Sequence, residues 1–332
     1  MKDGHCERVD GIGGETEMNR TQVIASELRI TGRTRLVGIL GLPVEHSLSP
    51  VMHNAAFAAL GLDWVYVPLP VYPDHLGEAV RGLRAMGFVG ANVTVPHKQA
   101  VLRYLDDVAE DALVIGAVNT IVVRDNELYG DNTDASGFIV ALVEAGFDPR
   151  GIYAAVLGAG GAARAVVHAL ANAGARQVCV YNRHVQRAYE LCRDMARFHL
   201  GVRFEAHPLD AVRDIDEDVS LLVNATSLGM WPETEVSPWP MDVPIPAHLT
   251  VCDLVYRPLE TLFLTQARAA GAEIVSGLGM LVYQGAAAFE MWTGHPAPVH
   301  IMRQACQEFL TQESRAEASM AEQPMAETEQ GT

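Results

Sequence analysis

Six polar residues in the first half of the chain flank short apolar runs that are typical of strands. Two of them, Lys98 and Asp134, are charged. An ammonium and a carboxylate side by side can control each other's protonation and move a proton at a hydroxyl or carbonyl group. Hydroxyl and amide side chains around such a pair form the lining that a polyhydroxylated ring needs. The six residues are Ser47, Ser49, Thr94, Lys98, Asn119 and Asp134.

Each of these residues also has an ordinary interpretation when it is taken alone. Ser49, followed by Pro50, suits a helix start, where a hydroxyl either caps the helix or helps its N–H groups to receive a carboxylate. A single lysine is usually a solvated charge, and Asp134 suits a helix cap. Their shared place beside successive strands favours a ligand site, since ligands of open α/β sheets bind at strand ends. His46 and His53 lack partners for a metal set, so we predict structural roles for both and no metal site.

A glycine-rich turn begins the second half of the chain. Residues 158–163 run Gly-Ala-Gly-Gly-Ala-Ala between a predicted strand and a predicted helix, which matches the G-x-G-x-x-G/A pattern of dinucleotide-binding domains. Gly158 allows the tight turn, and Gly160 lets the backbone approach a pyrophosphate that faces the helix N–H groups. A plain turn is the alternative, but the strand and helix around it favour a dinucleotide site.

The residues after the next predicted strand bear on which dinucleotide binds. About 20 residues after the turn, NAD-binding domains place an acid for the ribose 2′-hydroxyl. This chain has Asn182 and Arg183 there, with Arg187 one helical turn later. A guanidinium suits the oxygens of a 2′-phosphate, so we predict a preference for NADP, the alternative being two solvated surface arginines.

Strands alternate with amphipathic helical patterns, which indicates a mostly parallel α/β architecture. We predict an open α/β substrate domain over 34–147, a Rossmann-like NADP-binding domain over 148–278, and an active site in the cleft between them. Helices over 279–311 are expected to pack back on the substrate domain. Residues 1–33 and the acidic tail 312–332 are expected to be disordered. Strands are predicted at 35–40, 64–68, 90–93, 117–123, 127–130, 152–157, 177–181, 203–206, 220–224, 250–254 and 272–275.

Composition limits the possible partners and compartment. The 332 residues carry a formal net charge of −17, which disfavours nucleic acid and anionic membranes. Five scattered cysteines without a C-x-x-C pair indicate neither a disulfide framework nor a zinc site. There is neither a signal-peptide pattern nor an apolar run near the roughly 18 residues that cross a bilayer. We therefore expect a cytoplasmic protein with a small-molecule substrate, as a monomer or a homodimer.

Taken together, the motifs resemble the shikimate/quinate dehydrogenase family from about Arg35 to Leu310. The resemblance implies NADP-dependent interconversion of 3-dehydroshikimate and shikimate, in the pathway to aromatic amino acids. The matching segments are H-S-x-S-P-x-x-H-N at 46–54, N-V-T-x-P-x-K at 92–98, G-A-V-N-T at 116–120, N-T-D-x-x-G at 132–137, G-A-G-G-A-A-R at 158–164, N-A-T-S-x-G-M at 224–230, D-L-V-Y-x-P at 253–258 and G-L-G-M-L-V-x-Q at 277–284.

The same resemblance implies individual roles. Lys98 would transfer the proton, paired with Asp134. Substrate would be held by Ser47, Ser49, Thr94, Asn119, Tyr256 and Gln284. The cofactor would meet Gly158, Ala159, Gly160, Gly161, Ala162, Asn182, Arg183, Arg187, Leu254 and Gly277, with Glu110 also placed to touch it and Thr226 and Met230 flanking the nicotinamide.

One departure and two rival functions accompany the resemblance. Family members commonly have Asn-Arg-Thr where this chain has Asn182, Arg183 and His184, so one 2′-phosphate contact is lost unless a protonated His184 replaces it. A quinate or dual quinate/shikimate dehydrogenase is the rival enzyme, because quinate differs by one ring hydroxyl. A catalytically silent NADP(H)-binding regulator is the rival of another class, although such a protein should have lost Lys98 or Asp134.

Overall fold

The computed structural model describes residues 30–321, and its first half is a six-stranded sheet flanked by helices. The sheet order is β2-β1-β3-β5-β6-β4 in the numbering that follows. The strands are β1 (Arg35–Gly41), β2 (Trp64–Pro70), β3 (Gly90–Val93), β4 (Asp107–Val108), β5 (Thr120–Arg124) and β6 (Glu127–Asp131). The helices are α1 (Ser49–Ala59), α2 (Leu76–Ala85), α3 (Glu110–Ile115) and α4 (Asp134–Glu144).

The direction of β5 corrects the predicted position of Asn119. The strand was expected over 117–123, with the polar residues of the site just after strands; instead β5 begins at Thr120 and runs antiparallel to β3 and β6. The connection from β5 to β6 is a two-residue turn with positive φ at Asp125 and Asn126, which favours a hairpin. Asn119 therefore precedes a strand, but the reversal still brings it to the edge where β3 and β6 end.

The second half is a parallel six-stranded sheet in the order β12-β11-β10-β7-β8-β9. Counted within this domain, the order is the 3-2-1-4-5-6 arrangement of dinucleotide-binding folds. The predicted fold class, an α/β substrate domain followed by a Rossmann-like domain, is confirmed. The strands are β7 (Tyr153–Leu157), β8 (Gln177–Asn182), β9 (Arg203–Pro208), β10 (Val219–Asn224), β11 (Thr250–Asp253) and β12 (Glu273–Ser276); the helices are α5 (Gly161–Asn172), α6 (Val185–Met195) and α7 (Leu262–Ala269).

Two last helices, α8 (Gly277–Thr293) and α9 (Val299–Ala321), return to the first domain. Helix α8 packs on α4, and α9 packs on α1. The approach of α8 to α4 requires Gly137, because an added Cβ there would lie 2.6 Å from the Gln284 backbone nitrogen. Buried Phe57, Phe289 and Trp292 fill the space between α1 and α8. This packing fixes Gln284 beside the first sheet.

The acidic tail is ordered further than the sequence analysis predicts. Disorder was expected from residue 312, but α9 continues to Ala321, and Arg257 Nη2 lies 2.8 Å from Glu313 Oε1. The segment 311–321 contains no Gly or Pro and has three Ala and two Glu among its eleven residues, which lets a packed helix propagate. The rest of the tail, 322–332, and residues 1–29 of the expected N-terminal extension lie outside the described residues.

Two expected helix caps also differ. Ser49 and Asp134 are the first residues of α1 and α4, and neither helix has a side-chain cap at the preceding residue. Ser47 Oγ accepts the Ser49 N–H at 3.2 Å, and Asn132 Oδ1 accepts the Asp134 N–H at 3.1 Å. Earlier residues thus satisfy these N–H groups, which frees the Asp134 carboxylate for the site. Within the described residues, no helix combines the length and apolar character needed to cross a membrane.

Candidate active site

Lys98 and Asp134 form a close ion pair at the edge where β3 and β6 end. Lys98 Nζ donates to Asp134 Oδ2 at 2.6 Å, and the two side chains are 15% and 5% exposed. Lys98 is placed by the turn after β3, and Asp134 by the start of α4. A short, charge-assisted hydrogen bond in a largely desolvated place is a strong one. The predicted pairing of these residues is thus present in the structure.

Asn119 connects the pair to two further predicted residues. Its Nδ2 lies 2.8 Å from Asp134 Oδ1 and 3.3 Å from Gln284 Oε1, and its Oδ1 accepts the Thr133 N–H at 2.8 Å. Both Asp134 oxygens are therefore engaged, one by Lys98 and one by Asn119. The carboxylate is held in one orientation, with α8 contributing Gln284 from the far end of the sequence.

A layer of buried polar residues behind this pair was not predicted. Tyr66 Oη donates to Asn92 Oδ1 at 2.8 Å, and Asn92 Nδ2 donates to the Asn119 carbonyl at 3.1 Å. Tyr66 also hydrogen-bonds Ser49, and burial raises the pKa of Tyr66 well above its usual value. The network thus links Ser49 with Asn119. Asn92 opens the N-V-T-x-P-x-K segment, which was the available signal, whereas nothing around Tyr66 in the sequence marked it.

Ser47 and Tyr256 meet across the two domains. The Tyr256 hydroxyl hydrogen-bonds the Ser47 side chain and the Leu48 backbone, and burial raises the Tyr256 pKa. Tyr256 follows β11 of the second domain, and Ser47 precedes α1 of the first. Thr94 lies half-buried after β3, and its N–H donates to the Leu40 carbonyl at 2.8 Å. Ser47, Thr94 and Tyr256 therefore lie in segments that follow strands of the two domains.

The glycine-rich turn has the features that a dinucleotide requires. Gly158 has φ +111°, and an added Cβ would stand 3.0 Å from the Ala225 carbonyl oxygen and 3.1 Å from Thr226 Cγ2. A Cβ at Gly160 would meet nothing within 4 Å, so the backbone there is open to a ligand. Helix α5 begins at Gly161, and its first N–H groups can face a phosphate. The turn fits a pyrophosphate.

The turn after β8 presents three exposed basic side chains, those of Arg183, His184 and Arg187. Asn182 Nδ2 donates to the His184 carbonyl at 2.9 Å, which fixes the turn before α6. No side-chain cap hydrogen bond comes from His184. The basic groups are therefore presented to solvent beside the end of β8, as a 2′-phosphate site requires.

A buried aspartate, Asp253, holds the loop that carries Thr226. Asp253 Oδ1 accepts from Asn224 Nδ2 at 2.8 Å, and Asn224 Oδ1 accepts from Thr226 Oγ1 at 2.7 Å. Thr261 Oγ1 donates to the other Asp253 oxygen at 2.6 Å. Burial raises the Asp253 pKa to about 6 although these hydrogen bonds oppose the shift. Asp253 was not predicted as a site residue, although it opens the D-L-V-Y-x-P segment.

The remaining predicted cofactor residues divide into two groups. Leu254 follows β11 and contacts Gly277, where an added Cβ would lie 2.6 Å from the Leu254 carbonyl carbon. Glu110 begins α3 and is exposed, and Met230 is 39% exposed. Nothing in the hydrogen bonds or ion pairs of the described residues ties Glu110 or Met230 to the Lys98 pair.

The glycine-rich turn and the Lys98 pair lie against each other. A Cβ added to Gly161 would stand 3.0 Å from Lys98 Cβ and 3.2 Å from Lys98 Cδ. The start of the dinucleotide helix thus borders the stem of the lysine. The fold and this site define a two-domain α/β dinucleotide-binding protein whose cofactor turn faces an acid–base pair.

Comparisons with known proteins identify the family. Models of the shikimate dehydrogenase substrate binding domain, shikimate/quinate 5-dehydrogenase and the shikimate 5′-dehydrogenase C-terminal domain match residues 39–121, 143–229 and 277–307. The NADP(+) shikimate dehydrogenase of Moorella thermoacetica is 52% identical over 284 residues, which cover 85% of this chain and 96% of that protein. The chain belongs to the shikimate dehydrogenase family.

Solved structures agree with this assignment. A shikimate dehydrogenase crystallised with NADP+ superimposes with a TM-score of 0.79 at 40% identity, covering 85% of this chain and 98% of that one. The Thermus thermophilus enzyme, in complex with NADP(H) and shikimate, has a TM-score of 0.73 at 42% identity, covering 82% and 99%. The likeness therefore extends over both domains.

Proposed function

We propose that this chain is an NADP-dependent shikimate dehydrogenase, which reversibly reduces 3-dehydroshikimate to shikimate. The observation that carries the proposal is the 2.6 Å Lys98–Asp134 pair beside Gly161 at the start of the dinucleotide helix. A proton donor beside the turn that would hold the dinucleotide pyrophosphate supports a reaction at the bound cofactor. The activity follows from this chemistry together with membership of the family.

NADP fits the residues of the second domain. The pyrophosphate would lie on the turn from Gly158 to Ala162, the 2′-phosphate beside Arg183 and Arg187, and the nicotinamide near Thr226. When bound, NADP supplies or accepts the hydride of the reaction. The contribution of the protein is to position the two reactants and to stabilise charge.

The proposed role of Lys98 is proton transfer at the reacting oxygen of the ring. In the reducing direction, Lys98 Nζ gives a proton to the oxygen that becomes the hydroxyl, and its neutral amine is then reprotonated from solvent. Asp134 stabilises the ammonium form and orients it, because one carboxylate oxygen accepts from Lys98 and the other from Asn119. The pair therefore works as a unit in both directions.

The other polar residues have positioning roles in this proposal. The N-terminal end of α1 is surrounded by Ser47, Ser49 and Tyr256, and the helix N–H groups there favour a carboxylate. Thr94, Asn119 and Gln284 offer donors and acceptors to ring hydroxyls. Residues 34–147 bind the substrate and 148–278 the cofactor, with 279–311 completing the first domain. The four cysteines within the described residues are free and buried, which suits a reducing compartment, and we propose that the enzyme is cytoplasmic.

The test is the initial rate of NADPH formation by the full chain with shikimate or quinate, each offered with NADP or NAD. We expect turnover with shikimate and NADP, and a fall of about 10²- to 10⁴-fold in kcat for Lys98→Ala. NADPH affinity, measured by fluorescence, should be nearly unchanged in that variant. Arg103→Ala is the matched control, because it removes an exposed cation from the same segment.

Each other result contradicts the proposal in a distinct way. Faster turnover with quinate would indicate a quinate dehydrogenase. Faster turnover with NAD than with NADP would contradict the assignment of NADP as the cofactor. No turnover with any pair, despite NADPH binding, would indicate a silent regulator. A Lys98→Ala variant as active as Arg103→Ala would show that Lys98 does not transfer the proton.

A further inference from the structure

Three metal-binding side chains converge on the outer part of the second sheet, on strands β8 and β9. Cys179 lies on β8, and Glu205 and His207 lie on β9. One ligand atom from each lies within 4.8 Å of the other two. His207 Nε2 is 3.2 Å from Glu205 Oε2, and Cys179 Sγ is 4.0 Å from the same oxygen. The group is separate from the Lys98 pair and from the glycine-rich turn.

The convergence follows from the register of the two strands. Cys179 is the direct partner of Glu205, and Tyr181 is the partner of His207. Residues two apart on a strand point to the same face, so Glu205 and His207 share the face that carries Cys179. The sequence has no C-x-x-C spacing and gave no prediction of a metal site, because this arrangement depends on pairing between strands that are distant in sequence.

Neighbouring residues hold each of the three ligands in place. Gln177 Nε2 donates to Cys179 Sγ at 3.2 Å, and Arg203 pairs with Glu205 Oε1, which leaves Oε2 for the cluster. The His207 ring stacks on Tyr181 with centroids 5.0 Å apart. Outer partners of this kind orient metal ligands and tune their affinity. They are present here although the group has no role in the proposed reaction.

We propose that Cys179, Glu205 and His207 form a binding site for Zn²⁺. One sulfur, one imidazole nitrogen and one carboxylate oxygen are the donors that zinc prefers, and three protein ligands leave a fourth position for water. Ligand atoms of tetrahedral zinc lie about 3.5 Å apart, close to the spacing found here. Binding replaces the Cys179 thiol proton, which passes to solvent.

The electrostatic surroundings are compatible with a cation. Asp216 and Glu205 both act electrostatically on Cys179, with Arg203 opposing them. A metal ion deprotonates a coordinating thiol directly. The acidic neighbours favour the ion because negative charges attract a cation. Glu205 and His207 side chains are 27% and 34% exposed, which leaves a path for entry from solvent.

The experiment is a Co²⁺ titration of the full chain without a polyhistidine tag, followed by displacement with Zn²⁺. We expect one equivalent of Co²⁺ to give a thiolate-to-cobalt absorption band in the near ultraviolet, and Zn²⁺ to abolish it. The band should be lost in Cys179→Ala and kept in Cys192→Ala. Cys192 is the matched control, because it packs on the α6 side of the sheet with Val178 and Val180, where its thiol donates to the Glu205 backbone carbonyl at 3.3 Å and not to the proposed ligand atoms.

A second variant tests the same site with less risk to folding. His207→Gln, on an edge strand, should keep a thiolate band while weakening Zn²⁺ affinity by about tenfold or more. Absence of the band in the wild-type chain overturns the proposal, and so does a band that persists in Cys179→Ala, as binding at Cys6 would give. Loss of the band in Cys192→Ala, or unchanged Zn²⁺ affinity in His207→Gln, also overturns it. None of these measurements depends on the proposed dehydrogenase activity.

Discussion

Gly161, the first residue of α5, lies directly against Lys98: a Cβ on the glycine would stand 3.0 Å from Lys98 Cβ. Contacts this short force the neighbouring side chain to move by a few tenths of an ångström. The displacement would be transmitted along the lysine stem to Nζ, which is 2.6 Å from Asp134. The start of α5 therefore helps to position the proposed proton-transfer group of the other domain.

Gly161→Ala is expected to lower kcat about tenfold, because small misplacement of a reacting group costs much of its effect. The fold should be retained, since alanine is a better helix residue than glycine. Steady-state kinetics and thermal unfolding give the two readouts. Gly82→Ala, on the surface of α2, is the control, because its Cβ would meet only the end of Met86 at 3.4 Å. Wild-type kcat in Gly161→Ala would show that this contact does not position Lys98.

Arg183→Ala is expected to raise the KM for NADP about 10- to 100-fold, which corresponds to loss of a hydrogen bond between charged groups. The KM for shikimate should be little changed, since Arg183 is exposed beyond β8 and outside the Lys98 network. Arg150→Ala removes an equally exposed arginine before β7 and serves as the control. If the Arg183→Ala variant loses affinity for NADP and for NAD equally, Arg183 does not recognise the 2′-phosphate.

Much of the fold could be predicted because its determinants are local. Apolar runs bounded by turn residues indicated the strands of both sheets. The glycine-rich turn indicated the start of α5. The two-residue strand β4 carries no periodicity of its own and exists through pairing with β6. The end of α9 has helix-forming residues without a regular apolar face, so its composition resembled a disordered tail.

The site was predictable to the extent that its residues follow strand ends. Lys98, Asp134 and Asn119 were expected to converge, and they do. The supporting residues were missed because their function depends on burial. Asp253, for example, lies within a predicted strand that gave no sign of a polar network, and only the pairing of β10 with β11 places it within reach of Asn224.

His53 provides a test of acid stability. It is fully buried, stacks on Tyr66 with centroids 4.5 Å apart, and neither ring nitrogen has a hydrogen-bond partner. Burial lowers the His53 pKa from 6.5 to about 3. The unfolded chain therefore binds an extra proton between these values, and the contribution of His53 to the free energy of unfolding should fall by about 1.4 kcal/mol per pH unit as pH drops from 6.5 toward 3.

His53→Leu should reduce the fall in the free energy of unfolding at low pH, because leucine cannot be protonated. Its stability at neutral pH should stay within about 1.5 kcal/mol of wild type, as an apolar side chain of similar size suits the pocket. Urea unfolding at a series of pH values measures both effects. His300→Leu, at an exposed position on α9, should leave the slope unchanged. Equal slopes for wild type and His53→Leu would mean that His53 is not held neutral.

Asp253 predicts the opposite dependence within the same pH range. Its pKa rises from 3.8 to about 6 on folding, so between these values the folded chain holds a proton that the unfolded chain has lost. The free energy of unfolding should therefore fall as pH rises from about 4 to about 6, by about 3 kcal/mol in total from this group. Asp253→Asn should remove this decline, because the amide is neutral throughout and its oxygen can still accept from Asn224. The measurement is the difference between the two urea-unfolding curves across that range, with Asp148→Asn as the control for an exposed aspartate. A difference that does not change with pH would show that the Asp253 carboxylate is already ionised at pH 4, and its hydrogen bonds would then outweigh its burial.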